Sequence, residues 1–398
     1  MTDPLGQSQV LAYLKGLSES GRYQFTIISF EKEAVFKQSH TIVESICQKA
    51  GIKWYPLSYT PKPPVISTFR DVQRMQKLAV ELAKKNQYSI VHCRSYIPSL
   101  VGMYLKKKMG IPFLFDMRGF WADERLDGEI WRISNPVYRF IYNYFKRKEK
   151  QFLLNADHIV SLTQNAKDEI ISWRLSSKLL PITVIPCCVD MELFNPELVV
   201  QEKKKRALKE LDIPVGANII SYIGSLGTWY MLKEMLAFVK EYGRANENTY
   251  FLVLTGEPPE MVMAAAENAG INRDILRIKK VIRTEMPLYI SLGKISIFFI
   301  KPSYSKKASS PVKQGELMAM GVPVVCNSAV GDSGEVVERY NAGIVIDQFS
   351  PEAYKLAIEK LKKTEFSPGP IIKGAKDYFS LEKGVQTYMQ VYQEIDHG

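Results

Sequence analysis

Between residues 309 and 325 the chain reads SSPVKQGELMAMGVPVV, an order of residue types that suits one kind of ligand. Ser310 can cap a helix, and Pro311 suits the first helical position, where a missing N–H goes unneeded. A helix N-terminus has free N–H groups and about half a positive charge, which makes an anion site. Lys313 adds a full, mobile charge. Glu316 lies further in, roughly 7.5 Å along the axis from the anion position. That is about the span from a nucleotide's phosphates to its ribose, whose paired hydroxyls can both donate to one carboxylate. Gly315 permits close backbone approach, and Gly321 with Pro323 ends the helix before the strand VPVVCN. A capped amphipathic helix whose Lys313 and Glu316 face water accounts for the same letters.

A second element narrows the choice. The apolar run NIISYI ends in Gly224-Ser225-Leu226-Gly227 before a helix near Trp229, and glycines at a strand-to-helix turn let backbone N–H groups reach a phosphate. A tight turn needs no ligand, so the weight lies in the two elements together. Earlier in the chain, Arg94 follows the run YSIVHC, and Asp116, Arg118, Trp121, Asp123 and Glu124 crowd the loop after IPFLFDM. Arginine stays protonated and can clamp a sugar hydroxyl, a phosphate or a carboxylate. A salt-bridge cluster beside a core tryptophan is the structural alternative. His92 and His158 adjoin strands and read as structural.

These groups need strands to position them. FTIISF (25–30), YSIVHC (88–93), IPFLFDM (111–117), HIVSL (158–162) and ITVIP (182–186) alternate with helical stretches, the βαβ signature. A charged segment, QEKKKRALKELDIP, marks a boundary near 198–215, after which the plan repeats through VPVVCN and AGIVID. The expectation is an α/β protein of two doubly wound parallel sheets, residues 1–200 and 201–375, facing across a cleft where ligands bind beyond the strands' carboxyl ends. The last helix, 376–398, is free to pack on either domain.

The 398 residues exceed one ordinary core. Five cysteines without a CxxC or a nearby histidine support neither a disulfide framework nor a zinc site. No apolar run approaches the ~20 residues that span a bilayer, and the start lacks a signal core, so a cytoplasmic protein is expected. The net charge of +11 is uneven: residues 1–200 carry 27 Lys and Arg against 19 Asp and Glu. The first half therefore suits an anionic partner or a solvated basic face. NPVYRFIYNYFKRKEKQFLL mixes aromatics with basic residues at helical spacing, which fits either a membrane-facing helix or a packing stripe with a solvated back.

The order of motifs resembles the family-4 retaining glycosyltransferases of GT-B fold, over almost the whole chain. DPLGQSQVLAYLKGL is similar to the family's glycine loop, ADHIVSLTQNAKDEI and ITVIPCCVDMELFNP to its next two segments, ISYIGSLGTWYMLKEM to the turn that opens the donor domain, and SSPVKQGELMAMGVPVVCN to its nucleotide-sugar motif. GDSGEVVERYNAGIVID resembles the segment that follows. The resemblance implies transfer of a sugar from a nucleotide diphosphate sugar to a glycan or lipid-linked acceptor, with retention and without an obligatory metal or other cofactor, in cell-surface polysaccharide synthesis. It assigns donor binding to Gly6, Gln7, Gly224, Ser225, Leu226, Lys301, Ser309, Ser310, Lys313 and Glu316, and the chemistry to Lys313, Arg118 and Glu316. Arg94, Asp116, Trp121 and Asp123 fall on the acceptor side. An anionic membrane face is a candidate contact, with peripheral attachment at its inner side. Nucleic acid is not expected.

Four departures from the family pattern carry their own expectations. Ala308 stands where the family has its first glutamate, Ser225 and Tyr230 where it has an arginine and a lysine, and Arg118 where many members have a histidine. Lys313, Lys301, Lys306 and Lys307 must then supply the charge. Met1 lies only five residues before Gly6, so either the natural chain begins further upstream, which is favoured, or the first sheet has a gap. A non-catalytic sugar-nucleotide binder or degenerate partner subunit of the same fold is the alternative function. An NAD oxidoreductase is disfavoured because neither half has GxGxxG with a downstream ribose acid.

Overall fold

The computed structural model describes residues 1–63 and 65–397. The chain divides into two compact units, one formed by Met1–Cys188 with the residues from Leu381 onward, the other by Val189–Ser380. The sequence set those divisions at 200 and 375.

In the first unit, parallel strands β1 (Thr26–Glu31), β2 (Lys53–Ser58), β3 (Val91–Arg94), β4 (Phe113–Asp116), β5 (His158–Ser161) and β6 (Ile182–Val184) are joined by helical crossovers. The helices are α1 (Ala12–Glu19), α2 (Glu33–Lys49), α3 (Ile66–Lys85), α4 (Tyr96–Met109), α5 (Trp121–Asp127), α6 (Pro136–Asn155) and α7 (Gln164–Ser172). The strands make two sheets, β1-β2 and β3-β4-β5-β6, and among the described residues no ladder joins β1 to β3. Helices nonetheless span the break: Ile28 and Phe30 of β1 and Val91 of β3 pack in one cluster with Met75 and Ala79 of α3 and Val101 and Leu105 of α4. Alternate residues of a parallel strand bond to opposite neighbours, so half the backbone groups of β1 and β3 point away from their ladders. The physical trace is exposure: β1 and β3 are mostly half-buried, whereas β4 and β5 are buried throughout.

The second unit has one sheet of six parallel strands: β7 (Asn218–Ile223), β8 (Thr249–Leu254), β9 (Leu276–Lys279), β10 (Ile295–Phe298), β11 (Val324–Asn327) and β12 (Gly343–Ile346). Their spatial order is β12-β11-β10-β7-β8-β9. The chain winds outward from β7 through β9, returns beside β7 as β10, and winds the other way. The reversal puts the switch point, where such sheets bind ligands, at the carboxyl ends of β7 and β10. β10 and β11 are buried at every position, as apolar runs covered by helices on both faces should be. Here α8 (Leu232–Ala245) follows β7, α9 (Val312–Ala319) precedes β11 and α10 (Ser333–Arg339) follows it.

The last helix, α11 (Leu381–His397), belongs to the first unit and packs on α1. The approach is close enough that a Cβ on Gly16 would lie 2.9 Å from Val385 Cγ2, and one on Gly384 2.9 Å from Tyr13 Cε1. Among the described residues no helix is long and apolar enough to cross a membrane.

Candidate active site

In the second unit the two elements singled out in the sequence meet. Gly224 ends β7 with φ +109°, a conformation open to glycine at little cost. A Cβ there would lie 3.1 Å from Lys313 Nζ, so the glycine also makes room for the ammonium group. Lys313 is buried in an aromatic cage, with Nζ 3.6 Å from the Tyr230 ring centroid and 4.2 Å from that of Tyr222. It donates a 2.9 Å hydrogen bond to Tyr222 Oη, which donates in turn to the Ser225 carbonyl. Lysine, tyrosine and turn backbone are thereby coupled. Burial pushes the Lys313 amine well below its ordinary range, and the Glu316 charge only partly offsets this.

The helix itself begins one residue later than expected. Pro311, and not Ser310, occupies the N-cap position of α9, so the expected start is corrected by one residue. Proline has no side-chain acceptor to offer the turn's N–H groups. Glu316 is buried and its Oε1 accepts a 2.7 Å hydrogen bond from Arg283 Nη1. Burial raises the carboxyl, while Arg283 and Lys313 pull it back. Arg283 also lies over the Phe194 ring at 5.1 Å.

The other donor candidates fall around this centre. Leu226 is buried; Ser309 and Ser310 are half-buried ahead of α9; Lys301 is exposed, its backbone N–H bonded to the Trp229 carbonyl. Asn327 Nδ2 donates to the Ile300 carbonyl and its Oδ1 accepts from the Ile300 N–H, which pins the chain between β10 and α9. Lys306 is buried with Nζ 3.6 Å from the Trp229 ring centroid. Ala308, at the place of the family's first glutamate, is buried.

The first unit carries a separate charged cluster. Asp116, at the end of β4, is fully buried; its Oδ1 lies 3.8 Å from Arg118 Nη1 and its Oδ2 3.6 Å from Arg94 Nη1. Burial works against ionisation of Asp116, but Arg118, His92 and Arg94 outweigh it and hold the carboxyl at about 2. Tyr388 of α11 donates to Asp116 Oδ2 at 3.1 Å, and Tyr392 of the same helix pairs with His92 Nδ1 at 2.9 Å. Arg94 Nη1 donates to the Gln9 carbonyl at 3.0 Å, which ties the start of the chain to the cluster. Gly6 sits less than one turn earlier in the same helical run: a Cβ there would meet Met1 Cα at 2.7 Å, and Gln7 Nε2 donates to the Thr2 carbonyl at 3.0 Å.

Arg94, Asp116 and Arg118 thus come together, whereas Trp121 and Asp123 do not join them. Trp121 packs among Tyr96, Trp131 and Phe145, and Asp123 accepts from Tyr142 Oη and Lys146 Nζ, each at 2.8 Å. These two serve the packing of α5 on α6. Sequence reasoning missed Arg283, Tyr222, Tyr388 and Tyr392. The signal available for the tyrosines was the rule that a buried phenol needs a hydrogen-bond partner; for Arg283 there was none.

Two doubly wound parallel units, the second with its glycine turn and lysine-bearing helix at the switch point, define the class of fold called GT-B. Residues 6–193 match the family model described as Glycosyltransferase Family 4, and residues 203–377 the one described as Glycosyl transferases group 1. The chain belongs to this glycosyltransferase family. Among solved structures it is similar to a glycosyltransferase from Rickettsia africae, with a TM-score of 0.70 at 17% identity over 98% of this chain and 96% of that one. It is likewise similar to Anabaena Alr3699/HepE in complex with UDP-glucose, with a TM-score of 0.66 at 12% identity over 99% and 97%. A D-inositol 3-phosphate glycosyltransferase of Segniliparus rotundus is 23% identical over 281 residues, 69% of this chain. The match spans 58% of that relative's length.

Proposed function

We propose that the chain transfers a sugar, with retention, from a nucleotide diphosphate sugar to a glycan or lipid-linked acceptor in the building of a cell-surface polysaccharide. The observation that carries this reading is Lys313, a buried amine whose only hydrogen-bond partner among the described residues is Tyr222, set against the glycine turn at the switch point. In the proposed step the bond from the anomeric carbon to the diphosphate oxygen breaks and a bond to the acceptor oxygen forms on the same face. The acceptor's proton passes to the departing phosphate. Negative charge grows on that phosphate, and donors already aimed at it lower the barrier. Lys313, the start of α9 and the N–H groups of the Gly224 turn take that role; Glu316 takes the ribose with the oxygen that Arg283 leaves free. Arg94 and Arg118 are assigned to the acceptor side. The family membership and the UDP-glucose complex of the Anabaena neighbour support a nucleotide-sugar donor.

The test is to incubate the purified chain with UDP-, GDP- and ADP-sugars and to follow both binding and nucleotide release with a panel of acceptors. Release that needs an acceptor is expected; binding without release under every condition would favour the non-catalytic alternative. Glu316→Ala should weaken nucleotide binding about ten- to a hundredfold, the worth of a hydrogen bond to a charged group, with a smaller change in turnover.

Donor binding should also take up a proton. The Lys313 amine is depressed by burial in the free protein, and a diphosphate beside it favours the charged form. Affinity is therefore highest below the free protein's Lys313 pKa and falls as pH rises from there towards the value in the complex. Calorimetric titration with nucleoside diphosphate, in buffers of different ionisation heat, should show uptake in that window. An uptake unchanged in Lys313→Met would assign it elsewhere.

A further inference from the structure

Arg283 belongs to no sequence motif, yet the fold holds it at three points. Its carbonyl accepts from the Met286 N–H at 3.3 Å and the Ile282 carbonyl accepts from the Glu285 N–H at 3.0 Å, a turn that leads into the short helix Met286–Ile290. Its guanidinium lies over the Phe194 ring at 5.1 Å, and Nη1 donates to Glu316 Oε1 at 2.7 Å. Phe194 is fully buried, so the ring is a fixed floor. A planar cation resting on such a floor offers its N–H groups in set directions.

Glu316 needs such a guide. Its side chain has several rotatable bonds, and a carboxylate that must accept from two ribose hydroxyls serves only in one orientation and in the ionised form. Among the described residues Arg283 is the one side chain that hydrogen-bonds this carboxylate. The charged groups acting on it are Arg283, from the loop after β9, and Lys313, one turn earlier on α9. From another side the run Ala375–Phe379 meets α9 with an uncharged ring: a Cβ on Gly315 would lie 3.1 Å from Phe379 Cβ. The two cations are not equivalent. Burial depresses the Lys313 amine, which can shed its proton, whereas a guanidinium keeps its charge throughout.

We propose that Arg283 is the positioning residue of the ribose subsite, fixing Glu316 Oε1 so that the other oxygen faces the paired hydroxyls and keeping the group a carboxylate. This rests on the reading of Glu316 as the residue that takes the ribose. Without the guanidinium, burial raises the Glu316 carboxyl further. A protonated carboxyl gives up an acceptor for a donor and no longer accepts from both hydroxyls. Donor affinity is therefore full above the Glu316 pKa and is lost as pH falls through it, and Arg283 moves that loss to lower pH. The alkaline side of the profile belongs to Lys313.

The test titrates the intact chain with UDP-, GDP- and ADP-glucose from acid to neutral pH. The tightest of the three, with its 2′-deoxy form, is then carried to Arg283→Gln and Arg283→Lys. A diphosphate esterified at both ends does not titrate near neutral pH, so the acid limb reports the protein. Glutamine can still donate to Oε1 but has no charge; lysine keeps the charge. In Arg283→Gln the limb should move towards neutral pH by about one unit or more. The wild type's preference for ribose over 2′-deoxyribose, about tenfold, should shrink with it. Arg283→Lys should keep the wild-type limb, and unchanged thermal unfolding would show that both variants fold. The proposal is overturned if folded Arg283→Gln keeps the wild-type limb and ribose preference, or if Arg283→Lys moves the limb as far as Arg283→Gln. Glu316→Ala tells the two failures apart. If it binds and discriminates as the wild type does, the ribose reading itself is wrong; if it is impaired while Arg283→Gln is normal, only the role of Arg283 falls.

Discussion

Lys313→Met is expected to slow sugar transfer by about a hundred- to a thousandfold, the cost of removing one donor aimed at a developing negative charge, without loss of fold stability. Methionine keeps the length of the side chain and fills the space between Tyr222 and Tyr230. The ammonium it removes is one the fold desolvates and repays with a single hydrogen bond and two ring faces. Such contacts are worth roughly 2 kcal/mol or a little more, less than desolvation of the charge takes away, as the depressed amine shows. The variant should therefore melt at or above the wild-type temperature. Steady-state rates with the preferred donor, set beside thermal unfolding, separate the two effects. Lys313→Met with near-normal turnover would remove this residue from the chemistry and with it the central assignment.

The parts of this site that the sequence made legible share a property: each is governed by local chemistry. Gly224 closes a strand with a positive φ, and Pro311 with Gly321 brackets a short helix; both are constraints a few residues impose on themselves. What stayed hidden depends on distant residues. The cage around Lys313 joins positions 222, 230 and 313 through the β7–β10 switch point, and Arg283 reaches Glu316 from a segment with no motif of its own. The tyrosines that complete the Asp116 cluster come from α11, more than two hundred residues further along the chain. A reader of the sequence could see that a helix with tyrosines closed the chain, yet not which unit it covered. The one-residue error at Ser310 has the same root, because serine and proline are both good starts and only the backbone geometry decides between them.

The basic balance of the first half also resolves into parts with different work. Arg94 and Arg118 are drawn inward to one carboxylate, while Arg147 and Lys148 stay at the surface of α6. Net charge alone does not separate an internal cluster from a solvated surface; burial does.

The internal cluster gives the largest expected effect on stability. Asp116→Asn leaves the shape of β4 unchanged and takes away the carboxylate that faces both guanidinium groups. Arg94 and Arg118 remain, one depressed by burial and by the other's charge, and unpaired buried charge costs about 3–5 kcal/mol. Denaturant unfolding of Asp116→Asn should show a loss of that order, and Asp116→Asn/Arg118→Met should recover part of it, because the second change removes one of the stranded charges. The pH dependence has a definite sign. The Asp116 carboxyl is held at about 2 against an ordinary value of 3.8, so its contribution is complete above the unfolded value and is lost as pH falls through the folded one. The shift corresponds to about 2 kcal/mol, and the wild type should lose that amount between roughly pH 4 and pH 2. The asparagine variant, already lacking the carboxylate, should lack this step. If Asp116→Asn unfolds within ~1 kcal/mol of the wild type, the two arginines are neutralised by something other than Asp116, and their assignment to the acceptor side would have to start from that group instead.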